Sequence, residues 1–432
     1  MLFYFGSHSA LLLPFVVPGA VATLWLLGRS WRRGSAPDVL LALLLGLPTL
    51  AVSQWMLGYA GWYDSHDGHS TFMFYVPWHA ELLLGPAYYL YFRSLTNQEF
   101  RWWPAGRHLL PGLLEVALFA AAAAYDLLYY RGLRGQQLPA HFGTKGPAAE
   151  LLDTLVAPLA WAGHALLLLY ALHTLAEFRR YRRYLNDHFS DPERLRFGGL
   201  RQLLGLQLLV LALSVGFSGL NAVYDVSYDA AWYFFALRGL LIYGVLAVGL
   251  EANYAAASSP LRFGEPEVAA EAPAPLAPVA EAPAGLPTTS VPPTLPLAAP
   301  ADAAPLPAAA EAPAAILPPE LLPWREKLLA LMAAERPWLE PELTLTELAQ
   351  RLRTHPGLLS KVINAGCGQN FNDFVNGYRV QEARRKLADP RYAHYSLVGV
   401  ALESGFNSKS TFNRVFKKLT GQAPGELARP KT

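Results

Sequence analysis

Seven long apolar stretches dominate the first 250 residues, at about 10–28, 38–59, 74–95, 108–130, 153–176, 201–223 and 230–250. Each approaches the roughly 20 residues a helix needs to cross the hydrocarbon of a bilayer. Trp and Tyr gather at their ends (Trp62, Tyr63, Trp78, Trp102, Trp103, Tyr129, Tyr130, Trp232), where an amphipathic ring favours the headgroup level. Any one stretch reads equally well as a core helix of a large soluble protein. Seven in succession with aromatic ends predict a membrane domain over residues 1–254. Two changes of pattern follow. Residues 260–319 hold 16 Pro and 19 Ala, and from residue 321 short amphipathic helices of period 3.6 take over.

Loop charge orients the spans. The loops after spans one, three and five carry three, three and seven basic residues, and the alternate loops carry three in all (Arg131, Arg134, Lys145). The rich set therefore belongs in the cytoplasm, with the N-terminus outside and, after seven crossings, the C-terminus inside. The basic run after span five (Arg179, Arg180, Arg182, Arg183, Arg194, Arg196, Arg201) either enforces this topology or docks on anionic headgroups. Met1 is followed by no basic run of the kind that opens a cleavable signal peptide. The chain is 53% hydrophobic and 16% charged, well short of the roughly 25% charged of soluble domains. Its net charge of +2 conceals 17 Lys/Arg against 10 Asp/Glu from Leu321 onward. A single cysteine, Cys367, excludes an internal disulfide and a multi-cysteine zinc site.

Ionisable residues inside spans are costly and need a reason. Glu81 and Arg238 fall at matching depths in the outer halves of spans three and seven, whereas Glu115 matches Arg238 less well. His79 and His164 share that outer half, and Asn221 sits near the outer mouth of span six. Two readings stand side by side: a polar pocket open to the outside that holds a small ligand, or an ion pair that only locks two helices. The Asp64, His66, Asp67 and His69 cluster outside has metal-binding side chains, but a solvated loop of that composition is commoner, and no metal site is assigned.

The Pro/Ala-rich segment, 255–320, cannot bury enough apolar surface to fold and reads as a disordered linker. Proline biases it toward extended conformations at about 3.1 Å per residue. It would let the C-terminal part, 321–432, reach beyond the bilayer.

That part contains two helix-turn-helix patterns, at about 344–364 and 396–418. In the first, Leu345, Leu348, Ala349 and Leu352 recur at helical spacing and PGLLSKVINAG follows a short turn, leaving Ser360, Lys361 and Asn364 outside its apolar face. In the second, SLVGVALESGFNSKSTFNRVFKKLTG runs from an apolar helix through Gly405-Phe406 into a helix that is positive where it is wet. A long helix, FNDFVNGYRVQEARRKLAD, joins them. Such a pair would present two recognition helices to adjacent major-groove segments about 34 Å apart.

These residues resemble the DNA-binding domain of the AraC/XylS family of bacterial transcription regulators. YRVQEARRKLAD resembles the linker helix, and ALESGFNSKSTFNRVFKKLTGQAPGEL the second unit, with Gly405-Phe406, Ser410, Phe412, Arg414, Phe416-Lys417, Gly421 and Pro424 at family positions. The whole chain resembles the membrane-anchored branch, with FRSLTN at 92–97 and GQNFNDFVN at 368–376 of that flavour. The resemblance implies a core of Leu348, Ala349, Leu359, Ala401, Phe406, Phe412 and Phe416. It implies DNA contact by Ser360, Lys361 and Asn364, and by Ser408, Lys409, Thr411, Asn413, Arg414 and Lys417, with Arg414 and Lys417 as phosphate clamps. Two positions depart from the pattern. His355 stands where the family has a Ser cap, and Gly399 lies inside a helix, where glycine costs about 0.5–1 kcal/mol against alanine.

The expectation is an all-α chain: a seven-helix membrane domain, a linker and a double helix-turn-helix. It acts as a transcription regulator in a bacterial inner membrane, multi-pass and not an enzyme. A transporter or membrane enzyme with a regulatory DNA-binding tail is the alternative, but no span carries paired His or Asp and no internal repeat is visible. No cofactor is called for. The partners are duplex DNA, the lipid bilayer, a small extracytoplasmic ligand and a second copy in a homodimer.

Overall fold

The computed structural model describes residues 4–97, 100–192, 198–256 and 318–427. Most of the Pro/Ala-rich linker, together with Arg194 and Arg196, lies outside the described residues. The chain divides into two compact units. The first is Met1–Leu185 with Pro192–Gly264, and the second is Asn186–Asp191 with Glu265–Thr432.

The first unit is built from α1 (Leu13–Arg33), α2 (Ala36–Tyr59), α3 (Glu81–Thr96), α4 (Leu110–Ala123, running on as π-helix to Leu133), α5 (Pro147–His188), α6 (Gly198–Tyr224) and α7 (Tyr228–Ala256). Among the described residues, six helical stretches are long and apolar enough to cross a membrane by length and composition: Ser7–Arg33, Ala36–Tyr59, Trp102–Leu133, Pro147–His188, Arg201–Tyr224 and Tyr228–Glu251. Their outer faces are apolar, with Leu24, Leu114, Leu169, Val223 and Tyr233 exposed. In water such surface would be unfavourable; in hydrocarbon it is not.

The apolar stretch 74–95 differs from the simple span its composition predicts. A short helix, Gly68–Met73, stops before it, and helix resumes only at Glu81 for 16 residues. Pro77 lies in the gap, and Ala80 is left-handed at φ 30°, a conformation that an L-residue enters at a cost. Nearly all of α3 is buried, Leu90 and Ala87 completely. It is a half-helix enclosed by its neighbours. Irregular backbone at membrane depth is tolerated in that setting, where protein or a cavity surrounds it.

The second unit contains α8 (Leu322–Glu335), α9 (Leu345–Arg351), α10 (Pro356–Cys367), α11 (Phe371–Ala388), α12 (Leu397–Glu403) and α13 (Lys409–Thr420). Two apolar clusters hold it. One joins Leu328, Met332, Leu345, Leu348, Leu359 and Ile363 to Phe371 and Phe374 at the start of α11. The other joins Val380 and Ala383, further along α11, to Val400, Phe406, Phe412 and Phe416. α11 thus supplies one face to each helix-turn-helix. All seven core residues expected from the sequence are 2% exposed or less.

Candidate functional site

Each of the helices α9 to α13 starts on a side-chain cap, which satisfies backbone donors that a helix leaves free. Thr344 Oγ1 accepts from Glu347 N–H at 3.2 Å while Glu347 Oε2 accepts from Thr344 N–H at 2.8 Å, a reciprocal capping box. His355, the departure from the family pattern, still caps α10: its Nδ1 accepts from Gly357 N–H at 3.1 Å. Ser396 Oγ accepts from Gly399 N–H at 3.0 Å. Gly399 therefore lies in the first turn of α12, not in its middle.

Capping also decides which polar residues of α13 face solvent. Ser408 caps α13, its Oγ accepting from Thr411 N–H at 3.2 Å and donating to Thr411 Oγ1 at 2.9 Å. Thr411 is only 4% exposed. Its expected role in contacting DNA is corrected: it faces the core one turn before Val415, and Ser408 serves the helix end. Lys409, Asn413, Arg414 and Lys417 are exposed. Lys409, Asn413 and Lys417 recur every four residues and so form one stripe, with Arg414 beside it. Lys418, also exposed, is tied back to α11 by donation to Asp373 Oδ1 at 2.7 Å. On α10, Lys361 and Asn364 are exposed and Ser360 is half-buried, its Oγ accepting from Asn364 Nδ2 at 3.3 Å.

Between the two motifs lies a residue that pattern reading missed. Arg379 on α11 is 1% exposed. Its Nε donates to Trp338 O at 2.8 Å, and its Nη2 to Glu340 O at 2.7 Å, Pro341 O at 3.2 Å and Ser190 Oγ at 3.1 Å. Burial brings its pKa down to about 10, with Asp191 opposing that shift, so it stays charged at neutral pH. Ser190 belongs to the short Asn186–Asp191 segment of this unit, where Ser190 N–H also donates to Leu343 O at 3.2 Å. An arginine inside an otherwise apolar helix face was the only sequence signal for this tie. Burial raises the pKa of the Cys367 thiol, which keeps it protonated and poorly nucleophilic.

The first unit contains a partly open cavity of about 370 Å³. His79, Glu81, His164 and Arg238, expected to converge, all line it, and so does Glu115. Asn221 does not: it is exposed, and its Oδ1 accepts from Val226 N–H at 3.2 Å at the end of α6. A polar residue at the right depth here serves the helix terminus. Arg238 Nη2 donates to Glu81 Oε1 at 3.0 Å, and both residues are more than nine-tenths buried. Small residues make this enclosure possible. A Cβ on Gly163 would lie 2.5 Å from Glu81 Cβ, and one on Gly112 would collide with Leu83. Glu115 Oε2 accepts from Leu82 N–H at 3.1 Å, satisfying the open start of α3.

Sequence depth alone missed the rest of the wall: Gln54, Trp55, Phe119, Lys145, Asp153, Phe217, Phe234 and Phe235. Lys145 and Asp153 pair with each other. Trp55 stacks on Phe235 with centroids 4.3 Å apart, and Phe217 on Phe234 at 4.0 Å. In the loop bearing Asp64, His66, Asp67 and His69, Asp67 caps the Gly68–Met73 helix and accepts from His69 N–H at 2.8 Å. Hydrogen bonds from His69 and Ser65 hold its carboxyl below the usual range.

A family model described as a helix-turn-helix domain matches residues 348–430. YtdP, an uncharacterized HTH-type transcriptional regulator of Bacillus subtilis (strain 168), is 35% identical over 92 residues, 21% of this chain and 12% of that protein. Uncharacterized HTH-type transcriptional regulators of Staphylococcus aureus strains COL and MSSA476 are 32% identical over 83 residues, 19% of this chain and 11% of theirs. The chain thus spans about an eighth or less of these relatives' own lengths. No solved structure matches. The C-terminal unit carries an AraC-type helix-turn-helix domain.

Proposed function

We propose that this protein is a membrane-embedded, sequence-specific transcription regulator. Its C-terminal domain binds promoter DNA, and its helical first unit anchors it in the inner membrane and senses a small molecule in its cavity. The observation that carries the reading is the exposed Lys409, Asn413, Arg414 and Lys417 surface on α13, in a chain that also holds six helices apolar enough to span a bilayer. The relatives' description as HTH-type transcriptional regulators supports the DNA-binding half. Lys361 and Asn364 supply the corresponding surface on α10. Cationic side chains displace counterions from the phosphate backbone, so affinity should fall steeply with salt. Loop charge supports an outside N-terminus and a cytoplasmic C-terminal domain, on the side where DNA is, which takes the broken stretch 74–95 with its helix Glu81–Thr96 as a seventh crossing beside the six long helices.

The test compares chromatin pull-down by the full chain and by residues 318–432. Both should enrich the same promoter fragments, with the full chain recovered from the membrane fraction. Cytoplasm-dependent reporters should be active when fused after residues 190 and 432 and silent after residue 67. Absence of any enriched fragment, or the reverse reporter pattern, overturns the reading.

A further inference from the structure

We propose that the cavity in the first unit binds an uncharged carboxamide with an aromatic or branched aliphatic body; this rests on reading the cavity as the sensing site. Three lining polar atoms find no hydrogen-bond partner among the described residues: Arg238 Nε, His164 Nδ1 and Gln54 Oε1. Arg238 and His164 are 7% and 5% exposed, so bulk water does not serve them, and a buried polar group left unmade is destabilising. Arg238 Nε is a donor, and His164 Nδ1 is one in the tautomer that carries its proton there. Gln54 Nε2 already donates to Tyr63 Oη at 2.8 Å, which leaves its Oε1 to accept. The vacant set therefore asks for an acceptor and a donor together, as an amide C=O and N–H provide.

Charge narrows the class further. Arg238 is already neutralised by Glu81 at 3.0 Å and Lys145 by Asp153, while Glu115 adds a further carboxylate to the wall. An incoming carboxylate would meet Glu81 and Glu115 without a spare cation. An ammonium would face the two unpartnered donor positions, and the Glu115 carboxylate already accepts from Leu82 N–H at 3.1 Å. The neutral head escapes both. The rest of the wall, Trp55 stacked on Phe235 and Phe217 on Phe234, suits a flat apolar body, and the volume of about 370 Å³ lies at the small end of ligand pockets.

Three probes share one phenylpropyl body and differ in the head: hydrocinnamamide, hydrocinnamate and phenylpropylamine. The full-length protein in lipid nanodiscs is titrated with each, following tryptophan fluorescence and thermal stability against empty nanodiscs. The amide should bind about tenfold more tightly than the acid or the amine, the worth of one or two net hydrogen bonds. His164→Phe and, separately, Gln54→Leu should each reduce that preference about fivefold, each variant's titration being read against its own melting profile in the absence of probe. Equal affinity for the three heads, preference for a charged one, no saturable response to any, or an unchanged preference in both variants would overturn the assignment. A promoter reporter run with the same amide separates the two readings. Binding without a change in transcription refutes sensing and leaves the ligand class standing.

Discussion

Gly405→Ala is the sharpest perturbation the C-terminal domain offers. Gly405 is at φ 87°, a left-handed conformation that costs an L-residue about 1–2 kcal/mol. Space compounds the cost. A Cβ there would run into the Trp338 carbonyl, 3.0 Å from Leu339 Cα and 3.1 Å from Arg379 Nε. Two of the three obstacles are backbone and the Trp338 carbonyl is the nearest, so relief must displace that carbonyl, which accepts from Arg379 Nε–H at 2.8 Å. Hydrogen bonds to a charged group are worth about 1.5–3 kcal/mol. Conformational strain and one weakened bond together predict a loss of roughly 3–5 kcal/mol, a large part of the stability of a domain this size. Gly399→Ala is the matched control. Its Cβ would be tight only against Tyr395 Cδ1 at 3.2 Å, with Ser396 Oγ at an ordinary 3.5 Å, and Tyr395 is 41% exposed and able to swing out. That change should be neutral or stabilising by up to about 1 kcal/mol, the helical preference for alanine. Urea unfolding of residues 318–432, followed by circular dichroism, measures both. Equal effects at the two glycines, or a Gly405→Ala loss under about 1 kcal/mol, would refute the clamp around Arg379.

Three further outcomes follow from the same geometry. Phe412→Ala should destabilise the domain by about 3–5 kcal/mol, because its ring is fully buried with Phe406 and Phe416 at 5.2 and 5.3 Å; the exposed Arg414→Ala should leave the melt unchanged and weaken binding in gel shifts. In the first unit, Glu81→Gln or Arg238→Gln alone should lower the melting temperature of the detergent-solubilised chain, and the double change should restore part of it, since a lone buried charge costs more than a lost pair; additive losses would mean the two do not interact. The hydrogen bond from Arg385 holds the Glu382 carboxyl below the usual range. Its contribution is therefore complete above the ordinary glutamate pKa of about 4.3 and is lost as pH falls through the depressed value. Glu382→Gln should flatten the acid limb of the domain's melting temperature against pH, and an unchanged limb would assign that limb to other carboxyls.

How much of this was legible depended on which physical signal each residue obeys. The core of both helix-turn-helix motifs follows helical periodicity, so Leu348, Ala349, Phe412 and Phe416 could be placed from spacing alone. Thr411 shows where attention to polarity outran periodicity: its spacing of four from Val415 puts it on the core face, and the Ser408 cap absorbs its hydroxyl. In the first unit, hydropathy finds long apolar runs but does not register a break inside one. The Pro77 gap and the left-handed Ala80 turn the stretch 74–95 into a buried half-helix, and total apolarity is nearly the same either way. Depth counting brought Glu81, His79, His164 and Arg238 together, and all four line the cavity. It failed for Asn221, since depth says nothing about which way a residue faces around its helix.

The cavity's aromatic wall was invisible for the same reason. Trp55, Phe217 and Phe234 are ordinary span residues until rotation brings them round one space. The break and the charged part of the wall are linked. Opening the chain before Glu81 frees the amide of Leu82, which Glu115 then occupies. It also leaves Glu81 at the helix start, where the close approach of Gly163 seals it against α5 and Arg238 neutralises it. A continuous helix through 74–95 would hydrogen-bond its own amides and would give Glu115 no such donor. The broken span, the paired charges and the cavity are therefore one arrangement, and a substitution that restored helix through Ala80 should remove all three together.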